Sequence, residues 1–254
     1  MHVGPDHRRT KFVSFSGIDG AGKTTQILAL RTSLEEAGLR VLLISFWDDV
    51  ARLTRIREVS GHTLFKGDKG VGTPAVPINR RDKNVRSWAM TLVRLFLYLI
   101  DAISLRSVVK KVLRSGADLV IFDRYAYDEL VNLKLSNPAN RAYARLIMSF
   151  VPSPHISYLL DADPVQARAR KPEYPVEFLH TNRESYLALN KLIGGLTVIA
   201  PMSVHDAEQQ VLRHALEKLS LNAVRSTESQ SLVGEDDRAR VSQLDGQNAH
   251  SLNL

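Results

Sequence analysis

A chain of 254 residues with 44% hydrophobic and 24% charged positions can bury a substantial core, and one folded domain with polar appendages is the expectation. Cysteine is absent, which excludes disulfides, thiolate nucleophiles, Cys-ligated zinc and iron–sulfur clusters. The formal charge of +7 favours an anionic partner such as phosphate, nucleotide or nucleic acid, and most of it lies between residues 52 and 86, where nine Lys or Arg face three acids.

Residues 1–10 read as a short flexible N-terminal tail. Short β-rich apolar runs then alternate with longer segments of helical period, the signature of a parallel sheet covered by helices. Strands are expected at residues 12–16, 41–46, 119–122, 156–160 and 197–200, each nearly all apolar, as in strands covered on both faces. A helix is expected over 22–37, stopped by Gly38, and a long one over 85–114 that ends before Gly116. Residues 60–83 hold four glycines and two prolines without apolar period, and read as a mobile basic loop. Beyond residue 221 the chain is polar and aperiodic and reads as a disordered tail, which leaves 11–220 as the folded domain. The best apolar run, residues 89–105, is interrupted by Arg94 and Asp101, so no membrane span is expected. With no apolar signal core behind the first charges, a cytoplasmic location is expected.

Directly after the first strand stands Gly17-Ile18-Asp19-Gly20-Ala21-Gly22-Lys23-Thr24, which fits G-x-x-x-x-G-K-[ST] and runs into a helical pattern. Glycines let successive backbone N–H groups turn inward around phosphate oxygens, and the helix N-terminus adds its positive end. Lys23 can reach the β- and γ-phosphates, and Thr24 offers a hydroxyl to Mg²⁺, a hard cation that prefers oxygen. Residues 17, 19, 20–24 and Thr25 are therefore the expected nucleotide cradle, with ATP and Mg²⁺ as cofactors. The expected class is an α/β fold of the P-loop NTPase type, three layers with a five-stranded parallel sheet flanked by helices.

Switches, motors and small-molecule kinases share this cradle. The third strand ends in Asp123-Arg124-Tyr125, so the strand-end carboxylate is followed by Arg and not by a second acid that would position water. A guanidinium there suits a second phosphate that accepts the transferred group. No N-K-x-D guanine signature is present.

The run from Phe15 to Gln26, together with Asp123-Arg124-Tyr125 and Leu160-Asp161-Ala162-Asp163-Pro164, resembles the thymidylate kinase family of nucleoside monophosphate kinases over roughly residues 11–219. The resemblance implies transfer of the ATP γ-phosphoryl group to dTMP. It places Asp19 near the acceptor's sugar and phosphate, Asp123 beside Mg²⁺ and the reacting phosphates, and Arg124 on the acceptor phosphate. Gly20 occupies a position where some members carry arginine, and members with glycine there bring arginine from a lid. That lid would fall in residues 165–180, with Arg168, Arg170 and Lys171 as its cations. A homodimer through the apolar long helix is also implied, although the helix could equally be buried in a monomer.

The departures cluster on the acceptor side. Ser16 replaces a Glu before the first glycine, and Phe46-Trp47-Asp48-Asp49-Val50 replaces a T-R-E-P-G-G-T-like segment. On the long helix Tyr98 keeps the aromatic of an aromatic-to-Arg pair, while Ala102 takes the Arg position and Arg106 lies one turn further. Asp128 replaces a Ser, and Val131-Asn132-Leu133 replaces Ala-Tyr-Gln. A nucleotide phosphate acceptor, with Tyr98 and Arg106 among its contacts, is the expected partner. Another acceptor, such as a nucleoside or a nucleic-acid end, or a nucleotide-dependent nucleic-acid-binding regulator, are the alternatives.

Overall fold

Neighbouring strands are parallel throughout the sheet. The computed structural model describes residues 10–51 and 88–219. Its strands are β1 (Lys11–Ser16), β2 (Val41–Ser45), β3 (Leu119–Asp123), β4 (Ile156–Leu160) and β5 (Leu196–Ile199), in the order β2-β3-β1-β4-β5. The helices are α1 (Lys23–Glu36), α2 (Trp88–Val112), the short α3 (Tyr127–Leu130), α4 (Pro138–Phe150), α5 (Pro164–Arg170), α6 (Val176–Ile193) and α7 (Val204–Leu219). The expected basic loop 60–83 and both expected tails lie outside the described residues. Among those residues no helix is long and apolar enough to cross a membrane.

Strand alternation builds two cores. Val13 and Phe15 of β1 pack with Ile27, Leu30 and Leu34 of α1 and with Val211 and Ala215 of α7. Phe12, on the opposite face, joins Leu105 and Val109 of α2, Ala144 and Ile147 of α4, and Leu179 and Leu189 of α6. The sheet is thus the middle of three layers, as expected for strands that are apolar at nearly every position.

The strand boundaries fall within a residue or two of those expected from sequence, with one instructive difference. Phe46 does not end β2 but opens a π-helical turn, Phe46–Val50. The side chains of Asp48 and Asp49 fold back onto Ser45, accepting from its hydroxyl at 2.7 Å and its backbone N–H at 2.8 Å. Acidic side chains bonding to nearby backbone donors compete with a strand ladder, which is why the pairing stops here.

The chain leaves β1 in one direction through α1 to β2 and later returns from β3 past β1 to β4. Such a change of direction opens a crevice at the carboxyl end of the central strand, the usual ligand position in an open α/β sheet. The loop after Ser16 lies there.

Candidate active site

Backbone geometry shapes the loop first. Gly17 has φ 143°, and a Cβ on it would stand 2.5 Å from the carbonyl oxygen of Leu160, so the loop can leave β1 beside β4 only through glycine. Gly22, at φ 89°, precedes the first turn of α1, which has neither a side-chain cap nor an acidic residue. The leading amides of that helix are therefore left for an anion. Lys23 Nζ is buried and donates to the carbonyls of Gly17 and Ile18, each at 2.9 Å. Burial, with the Arg124 charge as a second cause, pulls its pKa down to about 8. Thr24 and Thr25 are exposed on the first turn of α1.

β3 delivers the second group of residues. Asp123 pairs in register with Phe15 of β1, which puts its carboxyl at the mouth of the loop, and burial pushes that carboxyl up from the usual range. Arg124 follows with φ 68°, the only described residue other than glycine with positive φ. Its backbone N–H donates to the Phe15 carbonyl at 3.0 Å. Its Nη2 donates to Asp19 Oδ1 at 2.6 Å and its Nη1 to Asp128 Oδ1 at 3.2 Å. Burial opposes the charge on Arg124, but Asp128 and Asp19 outweigh it and raise its pKa. Burial likewise opposes the Asp19 charge, and Arg124, Lys23 and Lys171 overcome it, holding that carboxyl below its ordinary value.

α5 completes the surroundings from above. Asp163 caps it, accepting from the N–H groups of Val165 and Gln166 at 3.0 Å each, and Pro164 opens it. Asp161, just before, accepts two hydrogen bonds from Arg183 of α6 at 2.5 and 2.6 Å, which ties the end of β4 to that helix. The α5 backbone then lies directly on the glycine loop. A Cβ on Gly20 would meet the carbonyl oxygen of Ala167 and stand 2.8 Å from its carbonyl carbon. Arg170 Nη1 lies 3.9 Å from where a Cβ of Gly22 would be. Arg168 is half-buried on the same helix.

The fold thus brings together Gly17, Asp19, Gly20, Ala21, Gly22, Lys23, Asp123, Arg124 and Arg170 from among the residues selected by sequence. Tyr98 is buried in the core beneath the sheet. Arg106 donates to the Phe150 carbonyl at 2.9 Å and sits 5.1 Å over its ring, which fastens α2 to α4.

Sequence reasoning missed three participants. Ser16 and Asp128 stood out only as separate departures from a family pattern, yet Ser16 Oγ donates to Asp128 Oδ2 at 2.6 Å. Where the family pattern has a carboxylate on the strand and a hydroxyl after the Arg, this chain has the reverse, and the hydrogen bond between the two positions exists. That reciprocity was the available signal. Tyr186, which donates to Asp128 Oδ1 at 2.7 Å, carries no motif.

These residues suit a magnesium–triphosphate ligand. At Gly17 and Gly20 a Cβ would collide with backbone, and Gly22 holds a left-handed φ of 89°. The hydroxyl of Thr24 and the carboxylate of Asp123 are hard oxygen donors, and among the described residues no group of three or more acids or histidines forms a dedicated cage. Mg²⁺ fits such a sparse protein contribution because water and phosphate supply the rest of its shell.

A glycine cradle on the central strand of a parallel sheet, opening onto a helix N-terminus, places the chain in the P-loop nucleotide-binding class. No family model matches the chain. It is 26% identical over 211 residues to a probable thymidylate kinase of Methanosphaera stadtmanae, covering 82% of this chain and 97% of that one. A thymidylate kinase of Prochlorococcus marinus is 26% identical over 223 residues, 84% of this chain and 98% of its own length. A probable thymidylate kinase of Pyrococcus abyssi is 28% identical over 223 residues, 82% and 98% respectively. Among solved structures, a thymidylate kinase of Ehrlichia chaffeensis is similar with a TM-score of 0.49 at 19% identity, over 80% of this chain and 97% of that one. The chain is thus similar to thymidylate kinases along almost the whole length of these curated relatives.

Proposed function

We propose that this protein transfers the γ-phosphoryl group of Mg·ATP to dTMP, yielding dTDP and ADP. The observation that carries the reading is Arg124, a guanidinium held at the mouth of the glycine loop with one arm on the loop's own acid, Asp19. A hydrolase has no use for a second phosphate holder there, whereas an acceptor phosphate needs one.

Catalysis is then alignment and charge stabilisation. The loop amides and the α1 N-terminus grip the donor phosphates. Lys23 exchanges the carbonyls of Gly17 and Ile18 for phosphate oxygens, which its burial favours. Arg124 orients the acceptor so that one of its phosphate oxygens attacks the γ-phosphorus in line as the bond to ADP breaks. No general base is required, because that oxygen is already ionised. Thr24 and Asp123 would hold Mg²⁺, whose chemistry there is to neutralise charge on the phosphate oxygens. α5 acts as the lid, with Arg170 and Arg168 supplying positive charge once water is excluded.

ADP release is measured with dTMP, other nucleoside monophosphates, nucleosides and oligonucleotides in turn. The expected result is dTMP-dependent turnover that falls by at least about 100-fold in Lys23→Ala. ATP binding without stimulation by any acceptor would overturn the reading, and turnover with a different acceptor would overturn the dTMP assignment.

The protein also pairs with a second copy through α2. Leu92, Phe96, Leu99 and Ile103 follow one another at intervals of four, three and four and are all exposed, while Tyr98, Ala102, Leu105 and Val109 bury the opposite side. A helix apolar on both sides is built for two cores, and the stripe at these intervals is the seam a second helix covers. A cytoplasmic location accords with the use of Mg·ATP.

A further inference from the structure

The Asp128 carboxylate accepts four hydrogen bonds, and its side chain has no exposure to solvent. A carboxylate in that position is stable only if donors surround it. Ser16 Oγ at 2.6 Å and the Tyr125 N–H at 3.0 Å serve Oδ2. The Tyr186 hydroxyl at 2.7 Å and Arg124 Nη1 at 3.2 Å serve Oδ1. These donors come from β1, from the turn after β3 and from α6, so one carboxylate joins three parts of the fold at the root of the glycine loop.

Arg124 is the partly exposed end of that network. Its backbone at φ 68° is a left-handed conformation that residues with a Cβ resist and that persists only where its surroundings over-determine it. The turn directs the side chain back across the loop, where its two arms meet different environments. The Asp128 partner of Nη1 is wholly enclosed, whereas the Asp19 partner of Nη2 is 21% exposed and lies on the cradle itself.

We propose that Asp128 is a positioning residue for phosphoryl transfer: it keeps one arm of Arg124 anchored inside the protein while the other arm leaves Asp19 for the acceptor's phosphate. The inference rests on the kinase reading above. It gives the two guanidinium arms separate duties, one permanent and one exchanged. A guanidinium can do this because its donors form a rigid planar fork, and an ammonium cannot.

The test is a cycle of Asp128→Asn, Arg124→Lys and the double variant, each followed by steady-state kinetics with dTMP and by calorimetric titration with ATP. Asp128→Asn keeps the shape but removes the charge. Its KM for dTMP is expected to rise about tenfold or more, with the ATP Kd unchanged within about threefold. Arg124→Lys should show the same split, and the double variant should be little worse than Arg124→Lys alone, because Asp128 acts through that side chain. An unchanged KM in Asp128→Asn, losses of acceptor and ATP affinity in equal measure, or losses that simply add would each overturn the proposal. Should Asp128→Asn not fold, Arg124→Lys decides by itself: an unaltered KM for dTMP refutes the two-arm assignment. If the unsubstituted protein turns over no dTMP, the kinase reading falls and takes this inference with it. Turnover with an unchanged KM in the variants removes the inference alone.

Discussion

His155 shows how one side chain ties protonation to the sheet. Its backbone N–H donates to the Phe12 carbonyl at 2.9 Å, and its Nδ1 accepts the Phe12 N–H at 3.1 Å, extending the β1–β4 ladder by one side-chain rung. Partial burial, and then the nearby Lys11 charge, lower its pKa from the ordinary 6.5. The sign follows from linkage: below 6.5 the unfolded chain takes up a proton that the folded chain resists, because burial and the Lys11 charge both disfavour the imidazolium. The contribution to stability is therefore complete above pH 6.5 and lost as pH falls through the lower folded value. Melting temperatures between pH 7.5 and 5.0 check this. The fall across that range is expected to be smaller in His155→Gln than in the unsubstituted protein, and parallel falls would assign the acid sensitivity elsewhere.

Among the elements, α5 and the glycine loop make the contact on which the proposed lid role rests. Nothing larger than hydrogen fits at Gly20 while Ala167 stays in place, so the absent side chain is what lets the helix sit on the loop. Gly20→Ala is expected to displace α5, and with it Arg168 and Arg170, and to lower kcat about tenfold or more. The control is Gly38→Ala. Gly38 shares the φ of 81° but has no neighbour within 4 Å of a built Cβ. It therefore carries the same backbone strain, about 1 kcal/mol, without the collision. Reduced thermal stability in both variants with reduced kcat only in Gly20→Ala isolates the contact. Equal kcat in the two would show that α5 does not depend on it.

For the whole molecule, the apolar stripe of α2 sets the expected assembly. Sedimentation velocity of the unsubstituted protein at micromolar concentration should give a dimer, and Phe96→Asp, which places a charge in the middle of the stripe, should give a monomer. Phe96 is 63% exposed, so the substitution disturbs no core contact and the monomer should remain folded. A monomeric unsubstituted protein, or a dimer indifferent to Phe96→Asp, would rule out this seam.

Local chemistry and periodicity made the fold and the candidate phosphate loop readable from the amino-acid order alone. Strands covered on both faces must be apolar at nearly every position, and a phosphate loop must carry glycine wherever a Cβ would strike backbone, so both leave contiguous marks. Residues 17–24 and the strand-end pair Asp123-Arg124 were legible for that reason. The proposed acceptor side draws on positions far apart in the chain, and only folding brings them together. Ser16 and Asp128, 112 residues apart, each looked like a loss until the sheet and α3 placed hydroxyl against carboxylate. Tyr186 carries no motif, and only the packing of α6 brings its hydroxyl to the same acid. Tyr98 and Arg106, taken from the family's pattern on the long helix, lie in the core and against α4 respectively. Spacing along a chain specifies which neighbours share a helix face, whereas which face meets a ligand depends on how the layers pack, and that is decided by the whole set of buried contacts.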